Sequence, residues 1–346
     1  MNTSTSTGTS AGTSARDAIA ADTAALRDGA GAFGSSRDVL AVRGPDAEAY
    51  LQGQLSQDVT ALAVGASADS LLLEPDGKVT ALVRVTRTDG QGFVLDVDAG
   101  YGAAVVARLR RFLLRAKVEL ESLDWRCLSL RGAGVAEAAG GLLTVLAERG
   151  VLTLPFEWNG WRGVDLLGPS DVVLVAGPDR VVLPPGVVAC GADAVEACRI
   201  VSGVPAMGAE LTAKTIPHEA GIVARTVNFS KGCYTGQELV ARIDSRGGNV
   251  PRRLVGIVAP AGPPETDRLS PGMTLHAGEV PAQDSPSDDK VVGTLTSAAW
   301  SAEVDAWVGL GYLHRNVEAP GPARVRSGDG TGGSRPVRVA LLPLAG

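Results

Sequence analysis

A chain of 346 residues exceeds the usual size of one domain, so two or three are expected. Hydrophobic residues at 45% and charged residues at 20% describe a globular protein able to bury a core. The formal net charge of −6 argues against a generally basic nucleic-acid binder while leaving local basic patches open.

The first fifteen residues, MNTSTSTGTSAGTSA, hold no basic residue and no apolar core. They read as a disordered tail and not as a secretory signal. ARDAIAADTAALRD then has helical character and stops at Gly29. In PDAEAYLQGQLSQDV, Pro45 opens a short helix, with Ala49, Tyr50 and Leu51 as its apolar contacts. SLLLEPDGKVTALVRVTR reads as a β-hairpin around the turn residues Pro75-Asp76-Gly77. A strand, GFVLDVD, precedes a helix over YGAAVVARLRRFLLRAKVEL. There Val105, Leu109, Phe112 and Leu113 carry the core-facing spacing. Arg108, Arg111 and Arg115 read as a solvated face, with an anionic-ligand site as the sharper alternative.

Strands WRCLSLRG and DVVLVAG and helices AEAAGGLLTVLAE and DAVEACRIVSG follow, an α+β mixture and not a strict βαβ repeat. After Pro251 the runs LVGIVA, KVVGTLTSA, VGLGYLH and RPVRVALL alternate with Gly- and Pro-rich turns. They predict a separate small β-barrel or sandwich. PAGPPETDRLSPG and AQDSPSDDK read as surface loops.

The chemistry-bearing stretch is KGCYTGQE, Lys231 to Glu238. Thr235 with Glu238 fits a capping box, which would set Cys233 just ahead of a helix N-terminus. That dipole and the charge of Lys231 would both favour a thiolate. Gly232 and Gly236 would allow unusual backbone angles or close approach. The alternative is that Cys233 merely fills a small buried space. Cys127, Cys190 and Cys198 sit among apolar neighbours and read as structural. The four cysteines contain no CxxC pair and no metal-ligand spacing, so reduced thiols in the cytoplasm and no metal site are expected. His218, His276 and His314 lie in no cysteine-protease signature. No apolar run approaches membrane-spanning length, so no membrane partner is expected.

KGCYTGQELVAR, preceded by CRIVSGVP and IPHEAG, closely resembles the YgfZ-type folate-binding proteins. These belong to the superfamily of the glycine cleavage system T protein, a tetrahydrofolate-dependent aminomethyltransferase. VRGPDAEAYLQGQLSQDV and LEPDGKV resemble its N-terminal motifs, and KVVGTLTSAAWS with VGLGYL its C-terminal barrel motif. The resemblance implies a tail over 1–15, a two-lobed α+β folate-binding region over 16–250 and a β-barrel over 251–346. These would form a three-lobed ring around a central folate channel. It also implies tetrahydrofolate or a derivative as cofactor, and a role in iron–sulfur cluster assembly or repair. Assembly machinery or client enzymes, including tRNA-thiolating ones, would be the partners.

On that resemblance Cys233 is the reactive group and Lys231 its tuning partner. Gly232, Tyr234, Gly236, Gln237, Glu238, Arg225 and Arg242 form the expected folate-contacting set. Tyr234 would either stack on a pterin or pack inward. Two departures separate the chain from the aminomethyltransferases. Ala81 and Leu82 stand at the acidic pair after the Asp-Gly turn, and Arg199-Ile200-Val201-Ser202-Gly203 lacks the glutamate of an RLEAG-like run. Neither alanine nor valine can orient an ammonium or accept a pterin hydrogen bond. Aminomethyl transfer is thus the second reading, and a folate-binding scaffold without catalysis the third. Between Arg225 and Arg253 six basic residues stand against Glu238 and Asp244, which reads as an anion-binding rim suited to a folate's glutamate tail or a partner's acidic face, with an ordinarily charged surface helix and linker as the alternative. No aromatic interleaving accompanies it, so no direct nucleic-acid partner is expected.

Overall fold

The computed structural model describes residues 8–173, 182–259, 268–278, 290–328 and 333–344. The chain opens with helix α1 (Gly8–Arg27) and strand β1 (Gly31–Ser35), then leaves to build a second lobe before returning. That lobe is β2 (Arg37–Arg43), α2 (Ala47–Gln54), β3 (Ser67–Leu73), β4 (Val79–Arg87), β5 (Gly92–Asp98), α3 (Gly102–Arg111) and β6 (Glu119–Leu123). The return supplies β7 (Trp125–Arg131), α4 (Val135–Glu148), β8 (Leu152–Trp158), β9 (Trp161–Pro169), β10 (Val188–Ala189) and α5 (Ala192–Val201). Two short helices follow, α6 (Val223–Thr226) and α7 (Gln237–Asp244). The last strands are β11 (Arg252–Val258), β12 (Thr274–Ala277), β13 (Val291–Ser301), β14 (Ala306–His314), β15 (Gly321–Arg326) and β16 (Arg335–Ala340).

These strands make two five-stranded sheets, β10-β1-β7-β9-β8 and β3-β4-β5-β2-β6, and a closed barrel, β11-β14-β13-β12-β15-β16. The α+β lobes and the barrel are as the sequence predicts. The hairpin pairs Leu71 with Leu82 and Leu72 with Ala81 around the Asp76-Gly77 turn. Both faces of the hairpin are covered: Leu71, Leu73 and Val79 pack into one core and Leu72 and Ala81 into another, and closure of the barrel removes exposed sheet edges.

A polar joint ties the barrel to the lobes. Glu210, fully buried, accepts from Thr296 Oγ1 (2.6 Å), Ser297 Oγ (2.7 Å) and Arg199 Nη1 (3.0 Å). The register shift in β13 between Leu295 and Ser297 lets two successive side chains reach one carboxylate, which a regular strand forbids.

Several expectations need correction. Helix α1 starts at Gly8, so residues 8–15 are helical where a tail was expected; residues 1–7 lie outside the described residues. Once the turns near Arg16 to Arg27 are packed, extension costs one residue per added bond. Helix α3 stops at Arg111, because the chain tightens at Phe112 and Leu114 takes a left-handed φ of 41°. Ala47, not Ala49, is the buried alanine of α2. Arg108 is 1% exposed, not solvated. It donates to Leu73 O (2.6 Å) and Gln54 Oε1 (3.2 Å) and lies 4.2 Å from the Phe112 ring. Of the expected strand DVVLVAG, 171–173 form a turn and 174–177 lie outside the described residues, as do 260–267 and 282–289 of the expected loops.

Candidate functional site

A cavity of about 320 Å³ lies where the two N-terminal sheets meet α5 and the segment after it. One wall is aromatic: Phe33, Phe156, Trp158 and Trp161. Phe33 and Trp161 stack with centroids 6.2 Å apart, and Phe156 meets Trp161 edge-on at 5.5 Å. Leu82, at the position of the missing acidic pair, lines the opposite side, while Ala81 is fully buried in the second lobe's core. Val201 packs at the joint between α5 and the barrel and takes no part in the cavity wall.

The other wall is ionic. Asp96, fully buried, accepts from Arg37 Nε (2.8 Å) and from Arg84 Nε (2.9 Å) and Nη2 (3.1 Å). Arg84 Nη1 continues to Asp165 Oδ2 at 2.6 Å. Asp165 Oδ1 accepts from Arg131 Nη2 (2.8 Å) and Ser129 Oγ (2.7 Å). Burial opposes ionisation of Asp165, but Arg131, Arg84 and the Ser129 bond outweigh it and hold the carboxyl below the usual range. The Arg131 guanidinium also sits 3.8 Å from the Phe156 ring centroid, joining the ionic wall to the aromatic one. Trp161 Nε1 is buried without a hydrogen-bond partner among the described residues, an unmet donor in the cavity wall.

The cysteine turn lies apart from this cavity. Lys231 sends its ammonium to the carbonyls of Gln52 (2.7 Å), Leu55 (2.6 Å) and Gln57 (2.8 Å). It thereby caps the C-terminal end of α2, where carbonyls lack intrahelical donors and positive charge is favoured. Burial pulls this amine down to about 8, with Asp58 working in the other direction. Thr235 N donates to Gly53 O (3.1 Å), and Asn228 Oδ1 accepts from the amides of Ser230 (2.8 Å) and Lys231 (3.1 Å).

Thr235 does not cap α7. The N-cap is Gly236, with a left-handed φ of 84° and no side-chain cap bond. A Cβ there would meet Glu74 O at 2.5 Å and Leu73 Cβ at 2.8 Å, so glycine is demanded by contact with the β3–β4 hairpin. Gln237 Oε1, and not Glu238, bonds back, accepting from Tyr234 N at 3.3 Å. Tyr234 packs inward among Leu71, Leu73, Val79 and Val240, and burial pushes its hydroxyl up to about 12. Gly232 has open space where a Cβ would stand.

Cys233 is exposed, unlike Cys127 and Cys198, which are buried, and Cys190, which is half-buried. Burial pushes the Cys127 thiol up to about 12 and the Cys190 and Cys198 thiols up to about 11. The space-filling alternative for Cys233 is thereby excluded.

None of Gly232, Tyr234, Gly236, Gln237, Glu238 and Arg242, the residues expected to contact folate, lines this cavity. Tyr234, Gly236 and Gln237 instead hold the turn against the hairpin. Arg225 does reach its margin: Nε bonds Asp69 Oδ2 at 2.5 Å, and its guanidinium lies 4.2 Å from the Trp158 ring, Asp69 and Trp158 both being wall residues. Sequence reasoning missed Arg37, Arg84, Arg131, Asp96 and Asp165. For Arg84, Asp96 and Asp165 the signal was a lone charge inside an apolar strand, as in LVRV, VLDV and GVDLLG, with opposite signs on different strands; Arg37 and Arg131 stand at strand ends.

No helix among the described residues is long and apolar enough to cross a membrane, and no group of potential metal ligands occurs among them. Two family models match in order along the chain. The GCVT N-terminal domain matches residues 6–162, and the glycine cleavage T-protein C-terminal barrel domain matches residues 252–345. The tRNA-modifying protein YgfZ of Pectobacterium carotovorum is 27% identical, over 82% of this chain and 83% of that one. The mitochondrial iron-sulfur cluster assembly factor IBA57 homolog of Neurospora crassa is 28% identical, over 62% of this chain and 50% of that protein. The crystal structure of glycine cleavage system aminomethyltransferase T from Bartonella henselae superposes with a TM-score of 0.72 at 21% identity, covering 94% and 89% of the two chains. That likeness fixes the fold alone. With both halves of the fold matched in sequence and the KGCYTGQE turn between them, the chain belongs to the glycine cleavage T-protein superfamily as a YgfZ-type member.

Proposed function

We propose that this protein is a folate-binding accessory factor for iron–sulfur cluster assembly or repair, and that Cys233 is its reactive group. Its beneficiaries would be cluster-dependent enzymes, including those that thiolate tRNA. The relatives named for tRNA modification and cluster assembly support the setting. The observation that carries the reading is the division of labour in the turn. Lys231, Tyr234, Thr235 and Gly236 are all engaged in holding the loop, while the thiol-bearing Cys233 is exposed between them. A residue so placed meets a partner and not a ligand in the cavity.

The cavity suits a reduced folate by its own chemistry. Phe33, Phe156, Trp158 and Trp161 would take a flat heterocycle, the unmet Trp161 Nε1 would donate to one of its acceptors, and Asp69 and Asp98 would accept from its ring N–H groups. Calorimetry with tetrahydrofolate at modest salt tests this. Saturable heat and a raised unfolding temperature are expected, equally for the wild type and Cys233→Ala. No heat and no protection would remove the folate half of the proposal.

Aminomethyl transfer fits less well. With Leu82 in the cavity wall and Ala81 in the core, no carboxylate stands where that chemistry places its acid. Tetrahydrofolate-dependent turnover of an aminomethyl-lipoyl carrier is expected to be absent; measurable turnover would restore that reading.

A further inference from the structure

Helix α7 carries a second feature, at the end away from Cys233. Leu239, Arg242, Ile243 and Arg246 recur at helical spacing and line one side of a cleft of about 350 Å³, completed by Asn249 and Arg315. No carboxylate lines it, and none of Arg242, Arg246 and Arg315 has an ion pair among the described residues. The Arg315 guanidinium donates to Asn249 Oδ1 at 3.2 Å. The carboxylates of the same helix lie off this stripe: Glu238 is not part of the cleft, and Asp244 faces His218 at 3.9 Å. Neighbouring arginines behave differently, Arg225 pairing with Asp69 and Arg252 with Glu219.

The cleft therefore presents two apolar side chains flanked by three guanidinium groups without counter-charges among the described residues. Its complement is an amphipathic segment with carboxylates beside apolar residues, since guanidinium forks match carboxylates bidentately. Nothing aromatic lines the cleft, so a stack of unpaired bases finds no platform. The thiol precedes the N-terminal end of α7 and the cleft lies along and beyond it, the helix itself spanning about 12 Å.

We propose that the Leu239–Arg242–Ile243–Arg246 stripe with Arg315 is a docking surface for an acidic amphipathic segment of a partner protein, which it brings up to Cys233. The purpose assigned to the docking rests on the function proposed above; the binding itself does not.

The test uses a labelled synthetic helical peptide with glutamate and leucine at helical spacing, titrated into the full chain by fluorescence anisotropy. Saturable binding that weakens with salt is expected, with at least about tenfold loss when the glutamates become glutamine. The double variant R242E/R246E should lose the acidic peptide and gain affinity for a lysine-substituted one. R315E should weaken binding independently. All three arginines are exposed, so folding should survive, and an unchanged unfolding temperature would verify it. A bromoacetyl group on the peptide should alkylate Cys233 faster than on the glutamine peptide. Equal binding of acidic and neutral peptides, or indifference to R242E/R246E, would overturn the proposal. So would arginine-dependent binding of duplex RNA or inorganic phosphate without binding of the peptide. Failure of Cys233→Ala to affect cluster-dependent enzymes would strike the proposed function and leave the docking result standing.

Discussion

In the cavity between the sheets, Arg37, Arg84 and Arg131 are each bonded to Asp96 or Asp165, while Arg242 on α7 and Arg246 just beyond it meet no carboxylate among the described residues. The cavity cations are settled within the fold, where an unpaired charge would be costly. The α7 cations stand in water, where lack of a partner costs little and leaves them available. The cysteine turn lies between these cases: its lysine is satisfied internally and its thiol is outward. Pairing marks what the fold needs, and its absence at the surface marks what a partner can use.

The largest effect should come from breaking the buried network. Asp165→Asn leaves Arg84 and Arg131 without their shared counter-charge and should cost about 3–5 kcal/mol of stability near neutral pH. The folded carboxyl titrates below its unfolded value, so its contribution is present above about pH 4 and is lost as pH falls. Urea unfolding of wild type and variant should therefore converge in acid. A gap that persists undiminished there would show that packing, not charge, holds the site.

Next is Gly236→Ala. A left-handed residue with a Cβ costs about 1–2 kcal/mol, and overlap with Glu74 O adds about 1–3 kcal/mol. Thermal unfolding of this variant against Gly232→Ala, where a Cβ has open space, sharpens the contrast, since only the former should fall substantially.

Lys231→Met keeps the stem but removes the donor from three carbonyls, a loss of roughly 1–3 kcal/mol by urea unfolding. If Lys231 served the thiol alone, stability would not change.

Much of this was legible from residues alone. Pro75-Asp76-Gly77 and the alternating runs beside it fixed the hairpin, and the β-prone runs after Pro251 gave the barrel. Arg108 was open to a better reading, since with Val105, Leu109 and Phe112 it shares one helical stripe, which places it inside. Thr235 misled because its pattern is local, whereas the cap is decided by the close approach of Gly236 to the β3–β4 hairpin near Glu74, far earlier in the chain. The partners of Lys231 were equally remote in sequence: carbonyls orphaned at the end of α2 carry no side-chain signature. The cavity residues lay on strands of both sheets, and only the fold brings Arg84 to Asp165.

The smallest structural effect and the largest functional one should belong to the same substitution. Cys233→Ala removes an exposed thiol and should leave stability within about 0.5 kcal/mol and tetrahydrofolate binding unchanged. The decisive measurement is the activity of cluster-dependent enzymes in cells lacking this protein and supplied with either form. The wild type should restore that activity and Cys233→Ala, expressed to the same level, should not; full restoration by Cys233→Ala would contradict the account.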